Sequence, residues 1–211
     1  YKRQPKYRNI MKRMKQRIYE STLLRKLDGL FWFFIDVVAT MIPFFSKLVY
    51  DMWLKMESCV RKEIITSNIC KDSRVLIVGC GPFPSTAVII ARMAKAKIVA
   101  IDNKKLAVTL AKKYLVRMGL KNVLIYQGDG RNFPVSNFDV IVINSSVNPR
   151  KEVLDNIFKF SKKGSVIVCR EPKFLKNELS KVILQYKGIT IKELINHPNN
   201  WCSYIVVKED Q

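Results

Sequence analysis

The stretch Arg74 to Thr86, RVLIVGCGPFPST, constrains this chain more than any other. Arg74 to Val78 have the character of a buried strand, and they run straight into Gly79-Cys80-Gly81-Pro82. A helix-like segment, Ser85 to Lys95, follows at once. Glycine lets the backbone turn sharply and approach a ligand with no Cβ in the way. The free N–H groups at the start of the next helix then face whatever lies there. A strand that ends in a glycine turn and feeds a helix is a nucleotide-binding device, and the rest of the chain is what surrounds it.

From Asp72 onward strands and helices alternate. Strand-like runs are RVLIV (74–78), KIVAI (97–101), NVLIYQ (122–127), FDVIVI (138–143) and SVIVC (165–169). Leu106, Leu110, Ala111, Tyr114, Leu115 and Met118 mark one intervening helix face, stopped by Gly119. Val153, Ile157 and Phe160 mark another, ended by Gly164. Near-continuous apolar strands separated by helices mean a parallel sheet covered on both sides. The end differs. GITIKEL (188–194) and WCSYIVV (201–207) are separated only by the polar loop Asn196 to Asn200, which suits an antiparallel pair at the sheet edge.

The first 70 residues read as a separate helical segment before a domain spanning 71–211. Tyr1 to Lys26 carry ten Lys/Arg against one acid, Glu20, with Ile10, Met14, Ile18 and Leu23 at roughly helical spacing. FWFFIDVVATMIPFF follows, but Asp36 and Pro43 break it and Lys47 and Asp51 come soon after, whereas a spanning helix wants about 20 nearly unbroken apolar residues. Two or three short helices with a hinge near Pro43 are expected, serving as a lid or substrate wall, with a further helix from about Tyr50 to Ser67. With 38 basic and 17 acidic residues the net charge is +21, which admits an RNA partner or peripheral contact with an acidic membrane face as well as a solvated basic surface. Five scattered cysteines without a C-x-x-C pair suit a reducing, cytoplasmic setting. One histidine, His197, and scattered cysteines do not make a metal site.

The strand ends narrow the ligand. A dinucleotide fingerprint needs G-x-G-x-x-G/A, and Pro84 occupies the third position, which argues against NAD. No P-loop sequence is present. Asp102 ends the second strand in VAIDNKK, where a carboxylate can accept hydrogen bonds from both hydroxyls of a ribose, with Asn103 beside it. Gly128-Asp129-Gly130-Arg131 follows the third strand, where an acid can accept from an adenine amino group and the glycines let the base lie against the backbone. Asn144-Ser145-Ser146 ends the fourth, beside the reacting end of the ligand. In an open α/β sheet these carboxyl ends line one crevice.

VLIVGCGP, VAIDNKK, YQGDGRNF and FDVIVI, in that order, resemble the class I S-adenosylmethionine-dependent transferases over about Asp72 to Val207. The resemblance implies a doubly wound, Rossmann-like sheet of seven strands, mostly parallel with an antiparallel C-terminal hairpin. It also implies S-adenosylmethionine as cofactor, held by Gly79, Cys80, Gly81, Pro82, Ser85 and Thr86 around the turn, Asp102 and Asn103 at the ribose, Asp129, Gly130 and Arg131 at the adenine, and Asn144 nearby. A narrower resemblance, of GCGPFPST to the G-x-G-P-x-P-x-T turn of nicotianamine synthases, implies transfer of the aminocarboxypropyl group instead of the methyl.

No catalytic signature stands out. A sulfonium activates its substituents without enzymatic acid catalysis, so such a protein mainly aligns donor and acceptor and excludes water. There is no N-P-P-Y after the fourth strand. Glu171, in CREPK, is a candidate base or amine ligand whose alternative is a salt bridge with Arg170 or Lys173; Tyr50, Glu57 and Tyr204 are further candidates, and His197 is not favoured in its loop. The expected activity is methyl transfer to a small-molecule acceptor or RNA, with aminocarboxypropyl transfer, or a non-enzymatic nucleic-acid- or membrane-binding role on the same fold, as alternatives.

Overall fold

The structure is a computed structural model describing residues 30, 33–35, 37–38, 56–198 and 201–209. Residues 30, 33–35 and 37–38 are helical, and α1 spans 56–66. Then come β1 (Arg74–Val78), α2 (Ser85–Met93), β2 (Lys97–Asp102), α3 (Lys105–Met118), β3 (Val123–Gln127), β4 (Val140–Ile143), α4 (Arg150–Phe160), β5 (Val166–Pro172), α5 (Lys176–Ile183), β6 (Ile189–Asn196) and β7 (Trp201–Lys208). The basic arm, the Pro43 hinge and Tyr50 lie outside the described residues.

The seven strands form one sheet in the order β3-β2-β1-β4-β5-β7-β6. The first five are parallel, and β7 runs antiparallel between β5 and β6. The expected Rossmann-like architecture with its terminal hairpin is therefore present. The order reverses between β1 and its neighbours β2 and β4, which opens a crevice at their carboxyl ends.

Alternation along β1 shows why both faces are covered. Val75 and Ile77 point into one hydrophobic cluster, which takes Val60 and Ile64 of α1, Val88 and Ile90 of α2, and Val108 and Leu115 of α3. Leu76 and Val78 point into the other, with Leu154, Ile157 and Phe158 of α4 and Leu179 and Ile183 of α5. Gly119 ends α3 in the left-handed conformation, φ 65°, and its N–H reaches the carbonyls of Leu115 and Val116. Two helix faces differ from the sequence expectation. Phe160 and Leu106 are about half exposed, whereas Phe158, Ala107 and Val108 are buried. A helix lying on a sheet buries neighbouring pairs such as Val153–Leu154 and Ile157–Phe158, a wider stripe than an i, i+4, i+7 line.

Candidate cofactor site

The glycine turn is held by the strand beside it. Gly79 and Cys80 N–H groups both donate to the Ile101 carbonyl, at 2.9 and 3.0 Å. Gly81 N–H donates to Asp102 Oδ2 at 3.0 Å, and Lys104 N–H donates to Oδ1 at 3.0 Å. Gly79 and Gly81 both have positive φ, 77° and 66°. A Cβ on Gly79 would stand 2.6 Å from Val147 Cγ2, so the turn demands glycine twice over. A cavity of about 450 Å³ opens there, within the roughly 300–1,000 Å³ common for ligand pockets. Gly79, Gly81 and Pro82 form its floor, Asp102, Asn103 and Lys104 one side, and Gly128, Asp129 and Gly130 the next. Ser146, Val147 and Asn148 close the β4 end, and Leu30 and Phe33 wall it from the N-terminal helical residues.

These residues suit an adenosine-bearing ligand. Asp102 gives one acceptor site on each oxygen to the backbone, and a carboxylate has about four, so two remain for a diol. Gly128 and Gly130 stand where a Cβ would come within 2.9 Å of Phe133 or 2.7 Å of Val78, so the backbone lies flush with the wall. Asp129 makes a bidentate pair with Arg131, Nη2 to Oδ2 at 2.6 Å and Nε to Oδ1 at 3.1 Å. That hydrogen bonding holds the Asp129 carboxyl below its ordinary value, so it stays an acceptor at neutral pH. Asn156, buried on α4, donates to the Gly130 and Phe133 carbonyls at 2.9 and 3.0 Å and fixes this loop.

Other expected residues stand behind the cavity wall. Cys80 is buried, and desolvation, then the Asp102 charge, push its thiol far up, which makes it a filler and not a nucleophile. Ser85 and Thr86 are buried in the first turn of α2, where Ser85 N–H donates to Phe83 O at 2.8 Å. The cavity wall ends before that turn, at Pro82. Asn144 Nδ2 donates to the Gly79 carbonyl at 2.7 Å, and its Oδ1 accepts from Arg170 Nη1 at 2.9 Å. Glu171 pairs with Arg150, at 2.9 Å between Oε2 and Nε, and both are buried on the α4 side. The Arg150 fork also donates to the Asn144 and Arg170 carbonyls, so the pair ties the ends of β4 and β5 together. Tyr204 lies in the α4–α5 cluster and donates to the Lys176 carbonyl at 2.8 Å; burial raises its hydroxyl's pKa. Glu57 is on the surface, paired with Arg61 at 3.2 Å.

A buried polar cluster beside the turn was not read from the sequence. Glu63 of α1 receives Arg170 Nε at 2.9 Å, Nη2 at 2.6 Å and Ser203 Oγ at 2.6 Å. His197, buried, reaches Ser203 Oγ at 2.8 Å. Burial would raise Glu63, but the Arg170 charge and the hydrogen bonds outweigh it and hold the carboxyl at about 2. The sequence carried a signal: Val60, Glu63 and Ile64 share one helix face, so the carboxylate had to lie among buried apolar groups. Among the described residues no group of His, Cys, Asp and Glu is arranged to hold a metal, and no helix is long and apolar enough to cross a membrane.

Comparison with known proteins agrees with this geometry. A family model described as a methyltransferase domain matches residues 69–209, about two thirds of the sequence. The chain belongs to that methyltransferase-domain family. Its fold is also that of a structure of MtNAS, a nicotianamine synthase, in complex with S-adenosylmethionine: TM-score 0.76, 16% identity, 90% of this chain and 77% of the other. A second MtNAS structure, in complex with MTA and tNA, superposes with TM-score 0.71 at 16% identity over 83% of this chain and 69% of that one. A SAM-dependent methyltransferase from Aquifex aeolicus gives TM-score 0.61 at 17% identity over 70% and 89%. No curated protein matches the sequence at a significant level.

Proposed function

We propose that this methyltransferase-family domain binds S-adenosylmethionine in the cavity at the β1–β4 ends and transfers one of its alkyl groups. The observation that carries the reading is the Gly79–Gly81 turn bonded to Asp102, with two carboxylate acceptor sites left facing the cavity. In this reading Asp102 takes the ribose hydroxyls, the Gly128–Gly130 backbone and Asp129 take the adenine, and Gly79 and Gly81 lie against the methionine part. Bound there, the cofactor supplies a sulfonium-activated alkyl group. The protein's own contribution is alignment and exclusion of water. Leu30 and Phe33 bring apolar cover, and Lys104 Nζ sits 4.2 Å from the Phe33 ring centroid, which fastens that cover to the end of β2. In this reading Leu30 and Phe33 form the acceptor-side wall.

Methyl transfer is the leading reaction. Aminocarboxypropyl transfer is supported by two observations: the GCGPFPST turn and the reach of the MtNAS likeness, which extends over 90% of this chain against 70% for the Aquifex protein. The released product separates them. Methyl transfer leaves S-adenosylhomocysteine, and aminocarboxypropyl transfer leaves methylthioadenosine. Mass spectrometry of turnover mixtures with candidate small-molecule acceptors distinguishes the two, and no uptake of S-adenosylmethionine in a calorimetric titration would rule out both.

A further inference from the structure

Arg170 and Asn144 form a chain of contacts that leaves the α1 helix and ends on the glycine turn. The Arg170 fork gives Nε and Nη2 to the two Glu63 oxygens, and Nη1 to Thr86 Oγ1 at 2.7 Å and Asn144 Oδ1 at 2.9 Å. Asn144 then donates Nδ2 to the Gly79 carbonyl. Every link is a directed hydrogen bond, and Glu63, Thr86 and Arg170 are buried. A planar guanidinium cannot swing to follow one partner without breaking with the others. From the opposite face Arg150 Nη1 donates to the Asn144 carbonyl, so that residue is gripped on both sides of the sheet.

We propose that Asn144 and Arg170 are positioning residues that hold the Gly79 turn in its ligand-ready shape and couple that shape to the seating of α1. The proposal rests on the cofactor site described above. Gly79 has φ 77° and glycine is the residue least constrained to keep one conformation, so an external hold on its carbonyl reduces the ordering left for the ligand to impose. If the turn is ligand-ready only a fraction of the time, apparent affinity falls by that fraction. Because the coupling is reciprocal, a ligand in the cavity must also quiet α1, although α1 supplies none of the cavity's described lining.

The test uses S-adenosylhomocysteine as an inert probe. Asn144→Asp keeps an acceptor for Arg170 but sets an oxygen against the Gly79 carbonyl. Calorimetry is expected to give about tenfold weaker binding than wild type, corresponding to one unsatisfied buried acceptor. Hydrogen exchange of the Gly79, Cys80, Gly81 and Phe83 amides in the free protein is expected to quicken. Equal binding and equal exchange in the variant, with wild type binding normally, would overturn the relay. A wild type that binds no probe would instead overturn the cofactor reading beneath it. A second measurement needs no variant: probe binding to wild type is expected to slow exchange in 56–66 by a larger factor than in Lys176–Ile183. An equal change in both helices would sink the coupling to α1.

Discussion

Replacing Glu63 by Gln removes the negative member of the buried Glu63–Arg170 pair while keeping its shape. Both side chains are under a tenth exposed, so solvent screening discounts little of the interaction. Glu63 ionises at about 2 in the folded chain against an ordinary 4.5. At about 1.36 kcal/mol per unit, that gap is worth about 3 kcal/mol of stability. The folded value is depressed, so this stability is fully present above pH 4.5 and is lost as pH falls through 2. By pH 3 about 2 kcal/mol of it is gone from the wild type. The Gln variant has nothing there to lose. Asp129, Asp139 and Asp155 are also held below their ordinary values, but they are common to both proteins and cancel in the difference. Urea unfolding followed by circular dichroism at pH 7, 5, 4 and 3 therefore gives a wild-type-minus-variant gap that shrinks by about 2 kcal/mol across the series. A gap that stays constant from pH 7 to pH 3 would refute the ion-pair account of Glu63.

Three further outcomes follow from the same geometry. Gly79→Ala forces a Cβ to within 2.6 Å of Val147 at a φ of 77°, and is expected to cost about 1–3 kcal/mol in unfolding experiments and to abolish S-adenosylmethionine binding. Phe33→Ala removes the ring under the Lys104 ammonium, and cofactor dissociation measured by stopped flow is expected to quicken about two- to fivefold, the scale of one exposed cation–π contact. Brief alkylation read by peptide mass spectrometry is expected to mark Cys70, which is exposed and whose thiol is eased downward by its hydrogen bond with Ser73. Cys80, Cys169 and Cys202 are expected to stay unmarked, since burial pushes them up, the last two to about 12 and about 11.

The fold was legible because a parallel sheet writes itself into the chain. Strands buried on both faces must be nearly all apolar, so VLIV, IVAI and VIVI announce themselves, and the short Asn196–Asn200 loop leaves the last two strands no room for a crossover. The turn and the Asp102 position were legible for the same reason, since they occur where strands end. What sequence spacing did not carry was pairing across the sheet. Arg170 and Glu171 are neighbours in CREPK, and a bond between them was one of the readings, yet adjacent strand residues point to opposite faces. Each therefore found its partner elsewhere: Arg170 found Glu63 on one face, and Glu171 found Arg150 on the other. Asn144 was placed correctly at the end of β4, but whether its amide met ligand or backbone depended on Arg170 arriving from 26 residues away. His197, set aside as a loop residue, is buried with its Nε2 against Ser203 Oγ.

In the proposed function, Asp102 and the Gly79–Gly81 turn form one adenosine-binding device. Calorimetric titration of S-adenosylmethionine into the wild type and Asp102→Ala tests it most directly. One-to-one binding is expected for the wild type, and binding at least tenfold weaker for the variant, because the ribose loses its acceptor and Gly81 N–H loses its bond. Equal affinity in both proteins, with thermal stability unchanged, would contradict it.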